Sequence, residues 1–275
     1  MCYNFLMKKI IILISFLVGL LIVVGIVKQE QMPTKPSKSL LGIGLGLSPT
    51  TLTIAHELSE VDFVDNKATG REVRENIKEL ESYPVKTVCV SLNLTEMREK
   101  VSVLSDENVN CDYLGFNPEQ RGKIPNSELE DLVSSVKSAR DIAQGYGAQL
   151  LTGPGMKFML SNEELYSAAK YSDVWIIQSQ QFQIDNKTGV KAEPEEYSAE
   201  VGRVVDMLKS SNPEIIIWVQ IMIEPGERDE NEFSPDEIIA LARSIEKDVD
   251  AIRINTQGIS DDETIKEVIR LLRTP

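Results

Sequence analysis

Glu119 and Glu224 are the two residues whose type and placement could carry a reaction. Glu119 follows the apolar stretch Asp112–Phe116 and shares the alternation of Asn117. Glu224 follows Ile215–Ile221 and shares the alternation of Gln220, provided the backbone stays extended. Two carboxyls facing one another across a cleft can divide the work of breaking a glycosidic bond: one protonates the leaving oxygen, and the other attacks the sugar or activates water. Amides accompany them. The stretch Asp173-Val-Trp-Ile-Ile-Gln-Ser-Gln180 runs from an acid through apolar and aromatic residues to Gln178 and Gln180, which point the same way in an extended chain. Side-chain amides both donate and accept. A set built from Asn117, Gln178, Gln180, Gln220 and Asn255 therefore suits a neutral, hydroxyl-rich ligand, a carbohydrate, better than a phosphate or a carboxylate. The alternative is a non-catalytic surface module, in which the same amides hold an unknown ligand or merely hydrate a polar rim.

The elements that must position these residues follow from periodicity. Short apolar runs at Leu41–Leu47, Val61–Asp65, Val85–Leu92, Asp112–Phe116, Gln149–Thr152, Asp173–Gln178, Ile215–Ile221 and Ala251–Asn255 read as buried strands. Amphipathic segments at Arg71–Ser82, Leu94–Leu104, Ser127–Gln144, Asn162–Lys170, Pro194–Lys209, Pro235–Lys247 and Asp261–Leu272 read as helices between them. Ser161, Ser234 and Ser260 stand where N-caps belong, each followed by acids, with Pro235 at a first helical position. Thr50–Glu60 is the weakest unit, at most a turn of helix. Strands alternating with helices imply a parallel sheet, and eight units imply an α/β fold of the (β/α)8 TIM-barrel type, with an open sheet as the alternative because periodicity does not prove closure. In such a barrel the strand C-termini form the mouth, where all seven candidate residues fall.

The N-terminal 28 residues are of another kind. Ile10–Val27 is apolar except for Ser15, and its eighteen residues span roughly 27 Å as a helix, near the thickness of a bilayer core. Lys8 and Lys9 precede the run, which predicts a cytoplasmic N-terminus and a single-pass anchor at the cell membrane, with the barrel domain outside the cytoplasm. A long cleaved signal peptide is the alternative. Residues 29–39, with Pro33 and Pro36, read as a linker, and 40–275 as the barrel domain. Without Lys8, Lys9 and Lys28, the 29 basic residues fall to 26 against 43 acidic ones, a balance near −17 that argues against a nucleic-acid partner.

Other chemistry is thinly represented. A lone histidine, His56, removes His-rich metal sites, and no motif around it completes a nucleophilic triad, so no metal is expected. Gly42-Ile-Gly44-Leu-Gly46-Leu-Ser48 matches neither the dinucleotide fingerprint nor a P-loop, so no cofactor is expected either; alternating glycines in a first strand admit a large neighbouring side chain. The acidic run Glu224–Glu232 lacks the spacing of a calcium loop. Cys89 and Cys111 fall in neighbouring strands, one midway and one at the start, which favours buried free thiols over a bridge. Trp175 and Trp218 are expected as packing residues inside strands, and Asp185–Gly189 as a surface loop long enough to reach over the mouth. Asn93 and Asn186 stand in glycosylation sequons. Arg253 shares the parity of Asn255; facing inward it needs a carboxylate such as Glu119 or Asp65, and facing outward it makes a surface ion pair.

The positions of Glu119 after a fourth strand and Glu224 after a seventh resemble those of glycoside hydrolases built on (β/α)8 barrels. That resemblance implies Glu119 as acid/base and Glu224 as nucleophile. The chain departs from the pattern where Pro118 separates Asn117 from Glu119, residues that are adjacent in those enzymes, and where Glu224 lies beyond its strand end. Asp173-Val-Trp-Ile-Ile-Gln-Ser-Gln180, Asn212-Pro-Glu-Ile-Ile-Ile-Trp-Val-Gln220 and Ile252-Arg-Ile-Asn255 together resemble a group of exported barrel proteins of unassigned function, which implies the fold and leaves the activity open.

Overall fold

A computed structural model describes residues 41–46, 54, 57–66, 85–119, 124–185, 187–225, 232–255 and 262–274. The proposed anchor and linker, His56, the predicted helix Arg71–Ser82, Asn186 and Ser260 lie outside the described residues. Eight parallel strands close into a barrel in sequence order: β1 (Gly42–Gly46), β2 (Phe63–Asn66), β3 (Lys86–Ser91), β4 (Tyr113–Phe116), β5 (Gln149–Thr152), β6 (Val174–Gln178), β7 (Ile216–Met222) and β8 (Ala251–Asn255). The described helices are α1 (Leu94–Asp106), α2 (Asn126–Glu130), α3 (Leu132–Tyr146), α4 (Met156–Ser161), α5 (Gln180–Gln183), α6 (Pro194–Ser211), α7 (Pro235–Ile245) and α8 (Asp262–Arg273), with a 3-10 segment at Glu163–Tyr171.

Strand alternation sorts the side chains into two cores. Val64, Cys89, Leu114, Leu150, Trp175, Ile177, Ile217, Val219 and Ile252 pack with the helices in the outer core. Phe63, Val88, Val90, Tyr113, Leu151, Val174, Ile176, Trp218 and Ala251 form a separate cluster with no helix residue in it, which is the barrel interior. Trp218 stacks on Phe63 with ring centroids 3.8 Å apart and meets Tyr113 edge-on at 5.3 Å. The glycines of β1 make room for this filling: a Cβ on Gly44 would lie 1.9 Å from the Phe63 ring. The expected packing roles of both tryptophans and of the β1 glycines hold.

A repeat of aspartates runs round the strand N-termini. Asp62, Asp112, Asp173 and Asp250 immediately precede the even-numbered strands, and each carboxylate accepts the backbone N–H of a residue on the preceding odd strand: Ile43 at 2.7 Å, and Thr87, Leu150 and Ile217 at 2.8 Å. Each bolt fixes one odd–even strand pair by a charge-assisted hydrogen bond.

Three local expectations are corrected. Cys89 and Cys111 are joined in a disulfide, their Cα atoms 6.3 Å apart, where free thiols were expected. Asp112, the residue after Cys111, is tied to both N and Oγ1 of Thr87, which holds the start of β4 against β3. The predicted helix Ser127–Gln144 is broken at Asp131, whose side chain caps α3 by accepting from Ser134 N at 2.9 Å. Asn162 rather than Ser161 caps the following segment, which is 3-10 rather than α-helical, while the Ser161 hydroxyl turns back to donate to Phe158 O. The expected Ser234 cap is present as a full capping box with Glu237. Among the described residues no helix is long and apolar enough to cross a membrane.

Candidate functional site

The register sets one row of polar side chains across the mouth. Gln178 on β6 pairs with Gln220 on β7, which pairs with Arg253 on β8. All three are buried, and all three share the strand parity of the interior cluster. Arg253 faces inward, donating from Nη1 to Gln220 Oε1. It fits there because β1 offers no side chain at Gly46: a Cβ at that position would lie 2.6 Å from Arg253 Nη2 and 2.8 Å from Asn255 Oδ1. The glycine thus accommodates both the guanidinium and Asn255. Asp65, the other carboxylate considered for Arg253, is placed by register beside Gly46 on β2.

Gln178 is the most firmly held member. Its Nε2 faces three acceptors, Gly153 O at 2.7 Å, Asn117 Oδ1 at 2.8 Å and Glu119 Oε1 at 3.0 Å. A flipped amide would set oxygen against oxygen three times, so only this orientation fits. Asn117 Nδ2 also donates to Glu119 Oε1, so two amides hold that carboxylate oxygen. From Gln178 the chain of bonds continues: Gln180 Nε2 donates to Gln178 Oε1 at 3.3 Å, and Gln220 Nε2 donates to Gln180 Oε1 at 3.5 Å. These last two are long contacts, and Gln180 is only half-buried. Gln180 is accordingly the amide most able to exchange its partners for a ligand.

Gln180 reaches the mouth for a different reason from the one predicted. β6 ends at Gln178, and Gln180 opens the single turn α5, so strand parity does not aim it. Two anchors on β7 do. Ser179 Oγ bonds to Gln220 O at 2.6 Å and to Tyr197 Oη at 2.6 Å. The serine's one proton goes to the carbonyl, so Tyr197 is the donor in the other bond, and burial pushes its hydroxyl pKa up so that it keeps its proton. Gln183, fully buried, donates to Met222 O at 2.8 Å and accepts from Met222 N at 2.9 Å. Neither Ser179 nor Gln183 was singled out in the sequence; the dense Gln-Ser-Gln-Gln-Phe-Gln run was the available signal.

The structure therefore gathers Asn117, Glu119, Gln178, Gln180 and Gln220 into one network with Arg253, and sets Asn255 beside the guanidinium. Glu224 follows the end of β7. β7 stops at Met222, Ile223 turns into the outer core with its carbonyl accepting from Phe233 N at 2.8 Å, and Glu224 stands half-buried in the bend. Ile223 joins Ile217, Val219 and Ile221 in that core, although the strand itself ends one residue earlier. Asn93 caps α1, its Oδ1 accepting from Glu96 N at 2.8 Å, so this sequon side chain has a structural role. Among the described residues no cluster of His, Cys, Asp or Glu could hold a metal ion.

Fold and mouth together define a (β/α)8 barrel with a polar, amide-lined C-terminal face. Solved structures with this architecture include orotidine 5'-monophosphate decarboxylase from Methanocaldococcus jannaschii, at TM-score 0.52 and 11% identity over 86% of this chain and 100% of that one. RipC from Yersinia pestis matches at 0.52 and 11% over 87% and 97%, and the xylanase-alpha-amylase inhibitor protein XAIP-I, solved with trehalose, at 0.53 and 13% over 84% and 97%. At these identities the likeness establishes the fold and nothing further. No protein-family model matches the sequence, and no curated protein does.

Proposed function

We propose that the barrel is an extracytoplasmic, membrane-anchored protein that binds a carbohydrate of the cell surface at its C-terminal mouth. The observation that carries this is the side-chain chain from Glu119 and Asn117 through Gln178, Gln180 and Gln220 to Arg253. It offers donors and acceptors in alternation, with one carboxylate and one guanidinium among the amides, which is the pattern that hydroxyls satisfy. The Cys89–Cys111 disulfide supports an oxidising compartment, and Ile10–Val27 supplies the anchor. Binding is tested by titrating the full-length protein in detergent with neutral mono- and oligosaccharides. Gln180→Ala should abolish affinity without lowering thermal stability appreciably; affinity retained in that variant would remove the mouth as the site.

Glycoside hydrolysis is the reaction such a mouth would carry, with Glu119 as acid/base and Glu224 as nucleophile. Its support is the placement of Glu119 among oriented amides after β4, with Glu224 beyond β7. Glu119→Gln and Glu224→Gln should each stop turnover while sparing binding, and turnover surviving either change excludes that assignment.

A further inference from the structure

A groove of about 920 Å³ lies beside the mouth, between the hairpin that follows β6 and the first turns of α6. Its position follows from α5. Within that one turn, Gln180 belongs to the mouth network, while the next two residues, Gln181 and Phe182, line the groove. The turn is thus a ridge with the candidate site on one side and the groove on the other. It is a fixed ridge, because Ser179 and Gln183 bolt its two ends to β7.

The opposite wall is also built. Ile184 and Lys191 pair across the hairpin as an antiparallel bridge. Asp185 closes the turn by accepting from Lys187 N at 2.7 Å and Thr188 N at 3.2 Å, and Gly189, at φ 74°, supplies the left-handed residue the turn needs. Lys191 then ties the hairpin to the segment before α7 and to the helix's first turn, donating to Glu232 O at 2.7 Å and Glu237 Oε2 at 2.9 Å and lying over the Phe233 ring. The expected surface loop is a braced side wall of the groove.

The lining fits a sugar chain. The half-buried Phe182 ring and the exposed Val190, 63% accessible, give apolar surface for the C–H faces of pyranose rings. Gln181 and Thr188 supply neutral hydrogen-bonding groups. Acids outnumber cations in the lining, and Lys191 is engaged by Glu237, which disfavours a phosphorylated or uronate chain. The volume matches that of ligand pockets, roughly 300–1,000 Å³.

We propose that this groove takes the outer residues of a neutral oligosaccharide whose first unit sits at the amide network, so that the ligand is a chain of several sugars crossing the α5 ridge. This rests on carbohydrate binding at the mouth and specifies its length. The test titrates the full-length protein with glucose, N-acetylglucosamine, mannose and galactose, and with linear neutral tetrasaccharides of each. The tetrasaccharide of the sugar that binds should bind at least about tenfold tighter than the monosaccharide. Phe182→Leu, which keeps apolar volume against the core, and Val190→Asp, at an exposed site, should each remove that gain and leave the monosaccharide Kd unchanged. Gln180→Ala should weaken both ligands. Equal affinities for mono- and tetrasaccharide, or a gain that survives both groove substitutions, would overturn the groove while leaving the mouth intact. Absence of binding by every sugar would overturn the mouth, and the groove with it.

Discussion

Replacing Gln178 by leucine tests whether the polar row organises the mouth. The substitution keeps the side chain's bulk but removes the donor that Gly153 O, Asn117 Oδ1 and Glu119 Oε1 share. A buried acceptor left without its donor costs about 1–3 kcal/mol, more when charged. Asn117 still serves Glu119, and the leucine gains some apolar burial, so the expected loss is about 3–5 kcal/mol rather than the full sum. For a domain of this size that is a fall in Tm of about 10 °C, readable by circular dichroism or calorimetry. Gln178→Glu adds a signed pH dependence. The carboxylate oxygen that takes the place of Nε2 would face three acceptors, one of them Glu119, so the protonated form alone can donate there and the folded-state pKa lies above the unfolded value of about 4.3. The interaction is then present below about pH 4 and is lost as pH rises through the raised folded pKa. The gap between this variant and the native protein should therefore widen from acidic to neutral pH. A Gln178→Leu loss under about 1 kcal/mol, or a Gln178→Glu gap that does not change with pH, would show that the row does not hold the mouth together.

Three further outcomes follow from other parts of the fold. Non-reducing peptide mapping should recover Cys89 linked to Cys111, and removing the bridge by a double serine substitution should cost about 3 kcal/mol from the loop closed over a separation of 22 residues. Gly44→Ala should severely destabilise the barrel, because the added Cβ falls 1.9 Å from the Phe63 ring, and adding Phe63→Val should recover much of the loss; no recovery would place the strain elsewhere. Burial lowers the pKa of Lys100, which donates to Val90 O from α1 and pairs with Glu96. The unfolded chain therefore holds that proton more tightly, and stability from this group should rise with pH between the lowered folded value and about 10.5, a slope that Lys100→Met should remove in alkaline denaturant titrations.

The fold was largely legible in the sequence because parallel strands buried on both faces are written as short continuous apolar runs, which interruptions by Gly, Pro and amides delimit. All eight strand positions agree to within a residue or two, and the pairing of β1 with β8 decides for the closed barrel over the open sheet that periodicity left as the alternative. What escaped were features that depend on register between distant segments. The aspartate bolts need knowledge of which backbone N–H lies opposite, and the disulfide needs the register of β4 against β3. Short elements escaped too, since the single turn α5 is too brief to show a helical period. At the mouth, residue type was a better guide than geometry. The glutamines and Asn117 were found by their chemistry. Gln180 arrives through α5 and its anchors rather than along a strand, and Glu224 stands two residues beyond the end of β7.

The two ends of the barrel carry different burdens, and the division bears on how the mouth can act. At the N-terminal end, charged bolts from Asp62, Asp112, Asp173 and Asp250 recur at every second strand and tie strand to strand irrespective of any ligand. At the C-terminal end the polar side chains are unequal. Gln178 is fixed by three short contacts and Arg253 is fully enclosed, whereas Gln180 is held by two long ones. A network of uniformly tight bonds would gain little by exchanging them for a ligand, and one of uniformly loose bonds would have to be ordered on binding. Here the backbone of α5 is anchored at Ser179 and Gln183 while the amide between them is weakly committed. On the proposed reading Gln180 would trade its partners for hydroxyls without moving the main chain, which would make the α5 ridge the place where recognition at the mouth is decided.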